Sequence, residues 1–147
     1  MTGTDEPITL SDLQQFHSFL RVNSMLDSAL GKVPEEYEFM QDEVRGAWVD
    51  AFQKAREVVM AGEGKKLDGL AEQANRAFQC SLNPQEVVAW ENILPEYRLK
   101  WVFLIRQMVN ILEWTSDEGS IQGFEVDMSN LFREHLAGIL PPTENLQ

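Results

Sequence analysis

The amino-acid sequence predicts an all-α fold, a single domain over residues 1–147 built as a bundle of about six helices around a central apolar helix near 95–114. Three observations predict it. Apolar residues recur at helical spacing along most of the chain, and the alternation expected of strands does not appear. Hydrophobic residues are 44% of the composition and include four Trp, enough for a core without disulfides or metal in a chain of 147 residues. The most apolar run, "RLKWVFLIRQMVNILEW" from Arg98 to Trp114, places Trp101, Val102, Leu104, Ile105, Met108, Val109, Ile111 and Leu112 over half a helical circumference, so it packs from more than one side. Arg106, Asn110 and Glu113 interrupt it, and it falls short of the roughly 20 apolar residues that a membrane span needs.

Each element follows from local signals. In "TLSDLQQFHSFLRVNSMLDSALG" a first helix is capped by Thr9 or Ser11, buries Leu13, Phe16, Phe19, Leu20, Leu26 and Leu30, and stops at Gly31. A second and longest helix begins at Pro34, where a missing N–H costs nothing, and places Glu35 and Glu36 at the positive end of its dipole. Its stripe is Tyr37, Met40, Val44, Ala47, Trp48, Ala51, Ala55, Val58 and Val59, ending at Gly62. A third helix spans about Leu67 to Phe78. A fourth starts in "SLNPQE", with Asn83 as cap, Pro84 opening and Glu86 three residues beyond the cap, and ends near Ile93. Pro95 opens the central helix. "TSDEGSIQG" has the composition of a loop, and a last helix over Asp127 to Leu136 presents Met128, Leu131, Phe132 and Leu136. Short flexible ends are expected near 1–8 and 141–147, with no second domain between them.

Charge bounds the partners. There are 24 acidic and 12 basic residues, a formal charge of −12, which repels phosphate backbones and anionic membrane surfaces. The expectation is therefore no direct nucleic acid binding, no membrane, and a protein partner of basic character, with a homodimer as a further arrangement. The helix, turn and helix expected over 67–93 has the outline of a helix-turn-helix, yet "NPQEVVAWEN" carries two acids and no base with which to reach a phosphate. One cysteine, Cys80, excludes an internal disulfide framework, and reads as a small packed hydrophobe. "MTGTDEPITL" shows neither the basic start nor the apolar stretch of a secretory signal, so the expected location is cytoplasmic.

The chemistry-bearing motifs are missing. A di-iron bundle needs paired Glu-x-x-His, but Gln14 stands three before His17 and Phe132 three before His135. "AGEGKKL" lacks the spacing of a phosphate-binding loop. No catalytic residue, cofactor or metal ligand is assigned.

Two surfaces remain as candidates. From Glu35 to Asp50 there are six acids and one base, Arg45, and Glu38, Asp42 and Asp50 lie opposite the apolar stripe of the second helix. A solvated face has the same pattern. The other is an arc of the central helix where Phe103 and Trp114 stand among Arg106 and Asn110, either covered by the last helix or left open as an interface. The function expected is a non-enzymatic acidic protein-protein interaction module, an adaptor or inhibitor. The alternatives are an acidic nucleic-acid mimic occupying a partner's DNA- or RNA-binding site, and a small-molecule-binding bundle or enzyme with an aromatic pocket of Trp48, Trp90, Tyr97 and Trp101.

Overall fold

A computed structural model describes residues 6–62 and 66–139. Within them five α-helices pack as a bundle: α1 (Asp12–Ala29), α2 (Asp42–Ala61), α3 (Leu67–Leu82), α4 (Pro95–Glu113) and α5 (Ile121–Ile139), with no strand among the described residues. The apolar helix is central. α4 touches all four others, while α2 packs chiefly on α3 and α5 closes over α1 and α4. The core runs continuously through Phe19, Trp48, Leu70, Trp101, Leu104, Met108 and Phe132. No described helix is long and apolar enough to cross a membrane.

The boundaries of α1 have local causes. Ser11 accepts from the Gln14 backbone N–H, and the Gln14 side chain accepts from the Ser11 N–H, so a reciprocal cap satisfies two donors that the helix start leaves free. At the other end Gly31 takes φ +82°, while its own N–H reaches the Ser28 carbonyl and that of Lys32 reaches the Asp27 carbonyl. That is a Schellman closure, which needs a residue without Cβ at this point. Leu13, expected on the core face, is exposed instead.

Three expected boundaries are corrected. α2 starts at Asp42, eight residues after Pro34, and a 3₁₀ turn over Tyr37–Phe39 precedes it. Asp42 and Glu43, not Glu35 and Glu36, therefore stand at the positive end of the dipole. Tyr37 leaves the α2 stripe and packs edge-on against Phe16, with ring centroids 5.3 Å apart. Residues 35–40 thus lie across α1.

The expected fourth helix is absent, which accounts for five helices where about six were expected. α3 continues to Leu82, and Asn83 ends it instead of starting the next helix. The same residues close a turn: Asn83 Oδ1 accepts from the Gln85 N–H and the Asn83 carbonyl from the Glu86 N–H. Gln79 then holds Val88 at both backbone groups, its Oε1 accepting from the Val88 N–H at 2.7 Å and its Nε2 donating to the Val88 carbonyl at 3.1 Å. A helix would withdraw both groups. Only a 3₁₀ turn at Trp90–Asn92 remains before Pro95 opens α4.

α5 begins at Ile121, six residues before the expected start, after Gly119 turns the chain at φ +95°. Of the expected loose ends, residues 1–5 and 141–147 lie outside the described residues; Ile8 is tied to Ser116 through its N–H to Oγ and its carbonyl to the Ser116 N–H, both at 2.9 Å.

Candidate functional site

The arc expected on the central helix is resolved by α5. Phe103 is 1% exposed, packed edge-on against Phe132 at 5.5 Å and against His135 at 5.3 Å. The covered alternative is the one the fold adopts for this residue. Arg106 lies over the same ring at 4.9 Å, Asn110 donates to Gln107 Oε1 at 3.1 Å, and half-buried Trp114 donates its indole N–H to the Gly119 carbonyl at 3.0 Å. Each of the four has an intramolecular occupation.

The tryptophans do not meet around one cavity. Trp48 and Trp101 stack on each other at 5.6 Å with planes 12° apart, Phe78 packs on both, and the pair fills the space between α2, α3 and α4. Trp90 borders a separate shallow cleft with Arg98, Leu99 and Val102, and Tyr97 lies beneath the Lys32 ammonium at 4.5 Å. Cys80, expected to be packed, is exposed on α3.

The acidic row is also divided. Because α2 begins at Asp42, Glu38 belongs to the segment crossing α1, while Asp42 and Asp50 stay exposed on α2, the former paired with Arg45 one turn on. Glu38 falls among different neighbours. With Glu35, Glu36, Tyr37 and Met40 it forms one wall of a cleft of about 350 Å³, whose other wall is α1. Around α1, at 100° per residue, the wall reads Asn23, Leu20, Ser24, His17 and Arg21, one face bounded by a polar side chain at each edge.

Both edges connect to buried polar clusters. At one, Arg21 donates Nε and Nη2 to the two oxygens of Glu125 at 2.9 and 2.7 Å. Glu125 is 1% exposed and also accepts from Ser18 at 2.6 Å, and Ser18 in turn accepts from Gln107 at 3.0 Å. The carboxylate holds the Arg21 guanidinium above its ordinary pKa through the hydrogen bonds, against the desolvation of partial burial. Its charge is committed.

At the other edge Lys100, buried on α4, pairs with Asp27 at 3.0 Å, its Nζ 5.6 and 5.8 Å from the Trp48 and Trp101 rings. Burial pushes its pKa down, and the attraction of Asp27 offsets only part of that. Asn23 donates Nδ2 to Asp27 at a long 3.4 Å, while its Oδ1 is the one buried side-chain polar atom without a partner among the described residues.

Sequence reasoning missed Arg21, Asn23, Ser24 and Met40 as wall residues, and assigned Glu35 and Glu36 to a helix. No group of three or more His, Cys, Asp or Glu among the described residues is arranged to hold a metal ion. No protein family, curated protein or solved structure matches this chain.

Proposed function

We propose that this chain is a non-enzymatic binding module, an adaptor or inhibitor that takes a basic segment of a partner protein along the cleft between α1 and residues 35–40. One observation carries the reading. Glu35, Glu36 and Glu38 line a concave site whose arginine, Arg21, is already paired with Glu125. A net charge of −12 extends the same field outward and steers cationic partners toward the chain. Concavity supplies what an acidic face alone lacks, a place where a bound side chain loses water and the attraction grows.

The test separates site from bulk charge. A fluorescent deca-arginine peptide is titrated by anisotropy into the wild type, into Glu35→Lys/Glu36→Lys/Glu38→Lys, and into Glu113→Lys/Asp117→Lys/Glu118→Lys, which makes the same change of net charge elsewhere. Binding should weaken with salt, and the cleft reversal should weaken it about tenfold more than the control does. Equal losses in both variants would leave only nonspecific charge attraction. Absence of binding to the wild type at low salt would remove the reading altogether.

A further inference from the structure

The segment between α1 and α2 carries two structural preferences that disagree. Its sequence reads as the first two turns of a helix: Pro34 suits the first position, Glu35 and Glu36 suit the positive end of the dipole, and Tyr37 and Met40 continue the buried stripe of α2. At 100° per residue Tyr37 falls about 20° from Trp48 and Met40 about 20° from Ala47, both of them buried. The fold instead lays residues 35–40 across α1, with a 3₁₀ turn at Tyr37–Phe39.

Few bonds hold this strap. Among the described residues the backbone hydrogen bonds of residues 33–40 are internal, Phe39 to the Glu36 carbonyl and Met40 to the Tyr37 carbonyl, and neither Glu35, Glu36 nor Glu38 is in an ion pair. The tie to α1 is apolar, chiefly the Tyr37 ring on Phe16. Nor is the start of α2 fixed, since Gln41 makes no side-chain capping bond. A local preference opposed by so small a set of tertiary contacts leaves a small gap between states.

The connectivity admits the other state. α2 runs antiparallel to α1, with Trp48 against Phe19, Phe52 against Phe16 and Arg56 against Asp12. Continued in the same register, an N-terminal extension of α2 passes the second half of α1 and brings Tyr37 near Leu30. The connection then shortens to residues 30–33, within the roughly two to five residues that join antiparallel helix pairs.

We infer that residues 34–41 are a two-state element: the strap across α1, in exchange with a less populated state in which they extend α2 by about two turns to Pro34. The strap gains the contact of Tyr37 with Phe16. The helical state pairs backbone groups that have no partner in the strap and aligns Tyr37 and Met40 with the α2 stripe. Because the strap carries Glu35, Glu36 and Glu38, the cleft exists in one state and not in the other. Where that cleft binds, as proposed above, the switch gates it; the two-state element itself is a property of the chain alone.

Two substitutions at exposed positions push the element in opposite directions. Val33 is 95% exposed, and Val33→Ser supplies a capping hydroxyl before Pro34, with Glu36 three residues on to complete a capping box. Gln41→Pro fits the strap, where Gln41 has φ −65° and Met40 ψ 152°, but its ring breaks the hydrogen-bond ladder of the extended helix. The ¹³C,¹⁵N-labelled full chain is followed by NMR, through backbone carbon shifts and relaxation dispersion. In the wild type the amides of residues 35–41 should exchange toward helical shifts. Val33→Ser should raise the helical population about fivefold over the wild type and over Val33→Ala, the ordinary effect of an N-cap, seen as moved peaks or as a second set. Gln41→Pro should abolish the exchange while melting no lower than the wild type. Strap-like shifts at residues 35–41 in Val33→Ser with no second set of peaks overturn the inference, and so does exchange that survives Gln41→Pro. Should Gln41→Pro fold poorly, Val33→Ser against Val33→Ala decides. Exchange without deca-arginine binding would remove the binding reading alone, and binding without exchange would remove this inference alone.

Discussion

Two polar clusters flank α1, and they differ in how completely they are satisfied. Around Glu125, on the side facing α5, Arg21 and Ser18 occupy both carboxylate oxygens and Gln107 extends the chain of bonds into α4. Around Lys100, on the side facing α4, one ion pair at 3.0 Å is accompanied by a long amide contact and an acceptor, Asn23 Oδ1, with no partner among the described residues. Buried polar groups are costly when partly satisfied and rigidifying when fully so. The first cluster therefore pins three helices in register, and the second, at the opposite edge of α1, is the less completely satisfied of the two.

The comparison would break most severely if α5 were not firmly docked, since Glu125 is buried only by that docking. Phe103→Ala removes a ring packed between Arg106, Phe132 and His135 and should cost about 3–5 kcal/mol in chemical denaturation, the range for deleting a fully buried aromatic. Loss of less than about 1 kcal/mol would mean that α5 lies elsewhere in solution and that Phe103 is available to a partner. Trp114→Ala alone should cost less, because that ring is only half-buried.

Next in size is Glu125→Ala, which strands Arg21, Ser18 and Gln107 together. Removing one partner of a fully buried pair costs roughly 3–5 kcal/mol, but the Arg21 side chain is 44% exposed and can rehydrate, so about 2–3 kcal/mol is expected here. Glu125→Gln should recover part of the loss by keeping the acceptor for Ser18. If Glu125→Ala proves as mild as a surface substitution, the two clusters do not differ in the way described.

How much of this was legible depends on the range over which each signal acts. The Ser11 cap, the Gly31 stop and the apolar arc of α4 are properties of a few consecutive residues; the cap and the stop appear in the fold, and the arc appears shifted, with Trp101, Leu104, Ile105, Met108 and Ile111 buried, Val102, Val109 and Leu112 half-buried, and Phe103 and Gln107 buried beside it. "SLNPQE" is equally local, yet its bonds close a turn as well as they start a helix, and Gln79, a residue outside the motif, decides between the two. Glu125 was readable in principle. It falls in register with Ile121, Met128 and Phe132 on the buried stripe of α5, but a helix begun at Asp127 leaves it in a loop, where a carboxylate draws no notice. The cleft was not readable, because Glu35, Glu36 and Glu38 come to α1 only when residues 35–40 stay out of α2, a choice made by tertiary contacts such as Tyr37 on Phe16.

The smallest effect sharpens the other side of the comparison. Lys100 has its pKa lowered in the folded chain from 10.5, so between the folded value and 10.5 the unfolded chain holds a proton that the native chain has lost. Stability from this group accordingly rises with pH through that window, is fully present above 10.5, and is lost as pH falls through the folded value. Replacing the pair by Asp27→Asn/Lys100→Met removes the titration while preserving shape and an acceptor for Asn23. At neutral pH the double variant should lie within about 1 kcal/mol of the wild type, since a buried ion pair is often replaceable by uncharged groups of like volume. As the pH is raised toward 10.5 the wild type should gain on the variant, and taking the difference between the two cancels the Lys32–Tyr97 pair, whose raised lysine pKa works in the opposite direction. A difference that stays flat across this range, or a large loss at neutral pH, would show Lys100 to be as well satisfied as Glu125, and the asymmetry across α1 would disappear.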